Sequence, residues 1–313
     1  MPSIKEHINY RIITADDFDH IALLYNHAFK KNLPAAYFQK KFNTSLFNCS
    51  PISTLALYNN QPIAFFGVIP QWFIYEGKPI LAATTADYVT LPKFQRKGIN
   101  KRLSGIAYEA MMNQDIKFLT MFHSQVSYHQ LNLHDWVDSE VFSRIVIKTK
   151  NPPIQRALNK VGLHQLRWNI LQKKLASYII HPKQLNNPLL CNGNYMVVNY
   201  DERYLRYKSY EKHIHLAIGN TRFWLRVTGV IYIGLTSSTS SEQLNEDFYS
   251  LIELLKKCGF DKIMYQFSKK LPHHELLKQH WPVEDSYIIG YKAFDPTLPY
   301  DKLAFNYADI DSF

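Results

Sequence analysis

The chain is poor in the residues and patterns that define several large protein classes. Its 313 residues include three cysteines, Cys49, Cys191 and Cys258, which lie far apart and form no CxxC pair. An odd, scattered set of thiols argues against a disulfide scaffold and is typical of a reduced, cytoplasmic protein. No stretch approaches the roughly 18 consecutive apolar residues of a membrane span, and the first residues contain no apolar segment of a secretory signal. We therefore expect a cytoplasmic protein without a membrane partner.

Metal-binding and nucleophile motifs are also missing. The 13 histidines include His123, His129 and His134, which are separated by six and five residues. Two metal ligands on one helix face are usually four residues apart, so these spacings do not form such a pair. The chain contains no Gly-x-Ser-x-Gly segment and no cysteine nucleophile motif. The sequence therefore predicts no metal cofactor and no covalent intermediate on the protein.

The apolar content indicates the size of the core, and the net charge indicates which kinds of ligand the protein could bind. Hydrophobic residues make up 46% of the chain and aromatic residues 14%, enough to build a core in one large or two ordinary domains. The formal charge of +10 admits nucleic acid, a membrane surface or anionic small molecules. Most of the excess is scattered in pairs such as Lys173–Lys174, which usually mark solvated faces. One cluster is local and favours a small anionic ligand over nucleic acid: Lys93, Arg96, Lys97, Lys101 and Arg102.

The basic cluster lies where a strand gives way to a helix. A strand-like stretch from 81 to 91 enters it and a helix-like stretch from 99 to 113 leaves it, with Pro92 and Gly98 between them. The first amides of a helix have no partner inside the helix, and the helix dipole adds positive potential there. Because glycine also lets a ligand approach the backbone, the segment predicts a phosphate site.

The order of residues in this segment matches a known pattern: Pro, aromatic, Gln and Gly before an amphipathic helix, here Pro92, Phe94, Gln95 and Gly98. Asn100 departs from the pattern because a Gly or Ala is usual at its position. The segment resembles the acyl-CoA pyrophosphate loop of the GNAT N-acetyltransferase superfamily. The resemblance implies acetyl-CoA as co-substrate, held by the backbone of Val89 and Leu91 and by the loop residues Gln95, Arg96, Lys97, Gly98, Ile99, Asn100 and Lys101.

The order of predicted elements extends the resemblance to about the first 150 residues. The pattern predicts a strand at 10–13, helices at 14–29 and 34–42, a three-strand meander from 53 to 91, a helix at 99–113, a strand at 117–122, a helix at 123–134 and a strand at 141–148. This is the order of a GNAT domain. The expected fold class is mixed α/β with the GNAT fold, in two GNAT-like lobes.

A faint internal repeat suggests the second lobe. Asp115 to Trp136 and Asp261 to Trp281 span similar lengths, with an offset near 146, and matching apolar stripes precede both. Residues 234–241, which stand where the first copy has its basic loop, lack both the cations and the inner glycine. We expect a GNAT acyl-CoA-binding domain at 1–150, a connecting helical segment at 151–190 and a degenerate GNAT-like domain at 191–313 that shapes the acceptor site. An unrelated α/β domain is the alternative for the last part.

Two residues are candidates for acid–base chemistry in direct acyl transfer to an amine. The resemblance implies a carboxylate base on the strand before the loop, and Asp87 is the acid there; a purely structural role is the alternative. It also implies a tyrosine that protonates the leaving thiolate, but Leu131 occupies that position. Tyr128, one helical turn earlier, is the substitute, with His129 as a second candidate. The acidic residues Asp309 and Asp311 are expected either to fold back toward the acceptor amine or to be solvated.

Three functions follow as hypotheses. The first is an N-acyltransferase that moves an acetyl or short acyl group from acyl-CoA to a primary amine of a small molecule, such as an amino sugar or an amino acid derivative. The second is an aminoacyl transferase of the tandem GNAT-like type that uses charged tRNA, which the basic charge favours and the retained phosphate loop opposes. The third is a module that binds CoA without turnover.

Overall fold

The computed structural model describes residues 7–123, 136–185, 187–192, 194–238 and 240–313. A single twisted sheet of twelve strands runs through these residues in the order β1-β2-β3-β4-β5-β12-β6-β11-β10-β9-β8, and β7 pairs with β3 off this path. The strands are β1 (Ile8–Ile12), β2 (Thr54–Tyr58), β3 (Gln61–Tyr75), β4 (Lys78–Thr90), β5 (Phe118–His123), β6 (Val137–Lys148), β7 (Val197–Val198), β8 (His213–Ile218), β9 (Thr221–Val227), β10 (Ile231–Ser237), β11 (Lys262–Phe267) and β12 (Glu284–Ala293).

Eight α-helices among the described residues cover this sheet. They are α1 (Phe18–Phe29), α2 (Ala35–Lys41), α3 (Ile99–Met112), α4 (Ile154–Lys160), α5 (His164–Leu175), α6 (Glu202–Tyr207), α7 (Ser241–Lys257) and α8 (His274–His280). None of these helices is long and apolar enough to cross a membrane.

The packing of helices in the first half of the chain explains why β3 is an almost unbroken run of apolar residues. Helices α1 and α2 cover one face of the sheet, where Phe65 and Ile69 of β3 join their core. Helix α3 covers the other face, where Phe66 and Val68 join a second core. A strand that is buried on both faces cannot alternate between apolar and polar residues. The predicted boundaries are close to those observed, except that the last strand of this half begins at Val137 and not at 141. Apart from His123, which ends β5, the predicted helix at 123–134 lies outside the described residues.

The second half repeats the order of the first. Strands β8, β9 and β10 form an antiparallel meander, α7 follows, and β11 then pairs in parallel with β10. The apolar stripe of α7 packs on this meander in a third core. Helix α8 and β12 complete the set, and β6 and β12 take equivalent places in the two halves. The internal repeat is therefore a repeat of structure, as expected for two GNAT-like lobes.

The two halves exchange their last strands. Strand β12 of the second half pairs antiparallel with β5 of the first, while β6 of the first half pairs antiparallel with β11 of the second. β12 and β6 then pair with each other at the centre of the sheet. Each half therefore completes the hydrogen-bonding edge of the other, and one continuous sheet results.

Residues 303–310 and Phe313 are buried at this junction. Ala304, Ala308 and Phe313 have no exposed surface. The Nζ of Lys208, which is also buried, donates hydrogen bonds to the backbone oxygens of Ile310 and Phe313. Of the two expectations for Asp309 and Asp311, the structure shows the folded-back arrangement, since Asp309 is fully buried.

We expect Gly234→Ala to destabilise the protein, because a methyl group on Gly234 in β10 would overlap the ring of Phe313. Overpacking of this kind costs about 1–3 kcal/mol. The matched control is Gly105→Ala in the middle of α3, where a Cβ would meet nothing within 4 Å and the better helix propensity should stabilise by about 0.5–1 kcal/mol. Urea unfolding of both variants measures the difference. Equal midpoints would show that residues 303–313 do not pack on β10 as described.

Candidate functional site

The predicted phosphate loop is an open helix N-terminus. A short 3-10 turn at Pro92–Phe94 ends β4, and Arg96 and Gly98 follow with left-handed φ values of 61° and 75°. Gly98 is the N-cap of α3, and no side chain caps this end of the helix. A Cβ on Gly98 would meet nothing within 4 Å. The first amides of α3 therefore face free space, which fits the phosphates of a CoA molecule.

The side chains of the loop leave this space open. The Asn100 Oδ1 accepts a hydrogen bond of 2.5 Å from the Thr90 hydroxyl, and the Gln95 Nε2 donates to the Thr90 carbonyl at 3.1 Å. Both side chains are thus turned back to the end of β4, so the larger Asn100 does not fill the place of the usual Gly or Ala. Ile99 is buried in the core under α3 and offers the site only its backbone amide.

The cationic side chains of the loop differ in whether a neighbouring aromatic ring holds them in place. Lys93, Arg96 and Lys101 are exposed around the loop. The Lys97 Nζ lies 5.3 Å from the centre of the Phe94 ring, and the Arg102 guanidinium lies 4.5 Å from the centre of the Tyr10 ring. Cation–π contacts hold these two in place without neutralising their charge.

A gap opens beside the loop, between two parallel strands. β4 and β5 are paired only at Ala83–Leu119 and Thr84–Thr120, although β4 continues to Thr90 and β5 to His123. The cause is a bulge in β4, where the register with β3 shifts between Val68–Thr85 and Phe66–Tyr88. A bulge bends its strand and raises its twist. No described strand pairs with the free edge of β4 beyond the bulge.

The bulge also decides which backbone groups face the gap. The Leu91 amide donates to the Ile63 carbonyl of β3 at 2.9 Å, so it points away from the gap. Since antiparallel pairing alternates, the backbone of Val89 faces β3 as well, and that of Tyr88 and Thr90 faces the gap. The backbone pairing predicted for Val89 and Leu91 is therefore not available to a ligand in the gap; the free positions are one residue away.

Asp87 lies in the bulge and belongs to a buried ionic cluster. The Lys41 Nζ of α2 is 2.9 Å from the Asp87 Oδ2 and 2.8 Å from the Asp311 Oδ2. The side chain of Lys41 is only 4% exposed, and the two carboxylates are nearly as buried. We call Lys41, Asp87 and Asp311 the ion triad. It joins the first helical layer, the bulged strand and residues 303–313.

The charges of the ion triad do not balance. One ammonium faces two carboxylates, so one negative charge is left over. Burial, with a further contribution from Asp311, raises the pKa of Asp87 against the lowering effect of Lys41. Burial opposes the charge on Lys41, but Asp311 and Asp87 hold the pKa of Lys41 well above its usual range. The cluster thus keeps a permanent cation beside a carboxylate that can take up a proton.

Sequence reasoning identified Asp87 but missed Lys41. A signal for Lys41 is present, because Phe38, Lys41 and Phe42 all lie on the buried side of α2. A lysine on the core-facing stripe of a helix needs a buried acid as partner.

A polar cavity lies at the junction of the two halves. Its volume is about 380 Å³, and Arg144, Arg226, Tyr232, Tyr287, Tyr307 and Ser312 are among its lining residues. Ser312 follows Asp311 directly, and after burial the Asp311 carboxylate is the main cause that raises the pKa of Tyr287. Since β12 runs antiparallel to β5, Tyr287 lies just beyond the end of β5 where the gap opens. The cavity therefore adjoins the ion triad.

Arg226 gives this cavity its charge. Its side chain is largely buried, its guanidinium lies 5.7 Å from the centre of the Tyr232 ring, and its Nη2 is 3.6 Å from a Glu211 oxygen. The Arg226 Nε has no hydrogen-bond partner among the described residues. On the other wall, Arg144 pairs with Glu284 at 2.9 Å. Arg226 thus brings to the cavity a positive charge whose contact with Glu211 is longer than a hydrogen bond.

Other candidates cannot be placed. Tyr128 and His129 lie outside the described residues, so the proton donor for the thiolate stays a prediction. Among residues the structure describes, no three His, Cys, Asp or Glu side chains are grouped as ligands for a metal ion.

Comparison with known proteins gives the fold. No family model and no curated protein matches the chain. Saccharomyces cerevisiae N-myristoyltransferase with bound myristoyl-CoA matches with a TM-score of 0.59 and 9% identity over 93% of this chain and 84% of its own. GCN5-related N-acetyltransferases from Kribbella flavida (TM-score 0.55, 10% identity, 92% of this chain and 71% of that chain) and Anabaena variabilis (0.53, 12%, 90% and 72%) are also similar. Identities this low establish only the fold: the chain has the GNAT fold, and its repeat of structure lies along one sheet.

Proposed function

We propose that the chain is an N-acyltransferase that transfers an acetyl or short acyl group from acyl-CoA directly to a primary amine of a small molecule. One observation carries the proposal. The bulge in β4 sets Asp87 beside the gap, on the strand that leads to the open N-terminus of α3, and the ion triad links Asp87 to Asp311, the neighbour of Ser312 in the polar cavity. A phosphate cradle, a slot for an extended chain and a carboxylate of raised pKa thus meet beside a pocket. The structural neighbours with the same fold, which include acetyltransferases and a myristoyl-CoA complex, support acyl transfer in general.

Each part of the site has a distinct task. Acyl-CoA supplies a thioester whose carbonyl carbon the amine attacks and whose sulfur leaves as a thiolate. The amides at the start of α3, with Lys93, Arg96 and Lys101, bind the phosphates. The backbone edges of Tyr88 and Thr90 orient the extended part of the ligand in the gap. Asp87 takes the proton that the ammonium form of the acceptor must lose before its nitrogen can attack, and the raised pKa of Asp87 brings it closer to the working pH of a general base.

The cavity is our proposed acceptor site. An amine near Asp311 and Asp87 would be attracted by the surplus negative charge of the ion triad. The other end of such a molecule would reach Arg226, which favours an anionic group. We therefore propose an amine that carries a carboxylate, as in an amino acid derivative, over a neutral amino sugar.

Gly98→Glu should abolish acyl-CoA binding, because its carboxylate would occupy the phosphate cradle and repel the ligand. Gly77→Glu is a matched control. Gly77 has the same φ of 75° and the same open surroundings, but it lies in the β3–β4 turn. Both variants carry the same charge and the same backbone strain. Calorimetric titration with acetyl-CoA measures the difference, and equal affinities of the two variants would remove the CoA assignment.

Asp87→Asn should lower kcat by on the order of 10²-fold or more and leave acetyl-CoA affinity unchanged. The fold should persist, because Lys41 keeps Asp311 as its partner in a balanced pair. In the wild type, kcat/KM should rise with pH as Asp87 loses its proton, and the variant should lack this rise. Thiol release from CoA, followed across pH, reports both effects.

Asp311→Asn should shift that rise in kcat/KM to lower pH. Removal of the second carboxylate leaves Asp87 alone with Lys41, which lowers the pKa of Asp87. Asp301→Asn, an exposed acid on the same polypeptide segment, should leave the profile in place. An unchanged profile in Asp311→Asn would mean that Asp87 is not the group that titrates.

Arg226→Gln should raise KM for amines that carry a carboxylate by about 10- to 100-fold, as expected for loss of one charge-assisted contact. The corresponding carboxamides should show little change. Arg222→Gln is the control, since Arg222 lies on the same strand and does not line the cavity. A panel of amines, each tested as acid and as amide, measures the effect. If the acids and amides suffer equally, the cavity does not select for an anionic group.

A further inference from the structure

The segment between the two lobes forms a short helical hairpin. Helices α4 and α5 are joined by a turn at 161–163, in which Gly162 has a left-handed φ of 79°. We call residues 154–175 the connector hairpin. Arg167 fastens it to the body of the protein, because its Nη1 donates to the Gln155 carbonyl at 3.2 Å and to the Thr228 carbonyl at 2.7 Å. Leu171 and Leu175 of the same helix face are buried in the core under α7.

The outer side of the connector hairpin is apolar and exposed. Leu166 and Ile170 lie one turn apart on α5 and are 58% and 48% exposed. Val161 in the turn is 68% exposed, and Leu163 and Ile154 are about half exposed. Five large aliphatic side chains within 17 residues thus face outward. Single exposed apolar residues are ordinary, but a contiguous group marks an interaction surface.

The stretch of sequence that carries this patch has charge of one sign. Between residues 141 and 200 the chain has nine lysines and arginines and neither aspartate nor glutamate. This stretch of +9 carries nearly all of the formal charge of +10 of the whole chain. Lys148, Lys150, Lys173 and Lys174 are exposed and form no salt bridge with a described residue. Sequence reasoning took the Lys173–Lys174 pair as a solvated face; the exposed aliphatic residues beside it change that interpretation.

We propose that the connector hairpin is a docking site for an anionic phospholipid surface. Aliphatic side chains would enter the interface between headgroups and acyl chains, and the lysines would contact the acidic headgroups. Charge complementarity selects this occupant over a second copy of the chain, because the exposed lysines at and beside the hairpin, which have no acidic partner among the described residues, would repel the same lysines of another copy. The site is separate from the ion triad and does not depend on the proposed acyl transfer.

Co-sedimentation with vesicles tests the proposal on the full chain. Vesicles of phosphatidylcholine with about one third phosphatidylglycerol, an anionic lipid, should retain the wild type, whereas vesicles of pure phosphatidylcholine should not. Raised salt should release the protein, because it screens the lysines. Leu166→Gln/Ile170→Gln should reduce the bound fraction strongly, and Lys173→Glu/Lys174→Glu should weaken partition by about tenfold or more.

Matched variants on other surfaces serve as controls. Phe29→Gln/Met112→Gln removes two exposed apolar side chains elsewhere, and Lys78→Glu/Lys278→Glu makes the same change in net charge outside the segment. Both should bind like the wild type, and all variants should show the same thermal unfolding. The proposal is overturned if the wild type ignores acidic vesicles, or if the controls lose binding as much as the hairpin variants. A dimer in light scattering that Leu166→Gln/Ile170→Gln dissolves would assign the patch to a second copy instead.

Discussion

The site depends on one buried ammonium group. Lys41 contacts Asp87 in the bulge of β4 and Asp311 in residues 303–313, which belong to opposite ends of the chain. Taking three charged groups out of water costs several kcal/mol per ion, and only their close mutual contacts offset that cost. The ion triad therefore contributes little net stability. It forms only when the helical layer of the first lobe and the closing residues of the second lobe are both in place. The acid–base group of the proposed reaction exists only in the completed fold.

The strand exchange enforces the same condition through the backbone. If each half kept its own last strand, its part of the sheet would be complete without the other lobe. Here β12 of the second half pairs with the first half, and β6 of the first half pairs with the second. The division into 1–150, 151–190 and 191–313 describes the repeat in the sequence; the hydrogen bonds of the central strands cross that division. Lys208 adds a third link, because its buried Nζ holds the carbonyls of Ile310 and Phe313. Burial lowers the pKa of Lys208 to about 7, although the nearby Asp311 and Asp309 oppose this shift.

Local patterns predicted much of this architecture, and long-range pairing was beyond them. The loop at 92–102, the helix after it and the repeat could be found because turn residues, apolar spacing and an offset are properties of neighbouring residues. The bulge in β4 could not, because it depends on the register with β3, and that register turns the backbone groups of Val89 and Leu91 toward β3 and those of Tyr88 and Thr90 toward the gap. Asp311 and Lys41 are 270 positions apart, and no local pattern pairs them. The cavity likewise draws on five strands and the closing residues, so it has no signature in any one segment.

The internal repeat allows an uncapped helix start and a capped one to be compared within one molecule. Helix α3 begins at Gly98 with no capping side chain, while the equivalent α7 begins at Ser240, whose Oγ accepts a hydrogen bond from the Gln243 amide at 3.1 Å. A capped helix satisfies within the protein the donor that an uncapped helix leaves for an anion. The same meander and crossover thus lead to an uncapped helix start in one lobe and a capped one in the other. The second lobe supplies Arg226 and Tyr232 to the cavity, so under the proposed function the first lobe would bind acyl-CoA and the second would help to bind the acceptor.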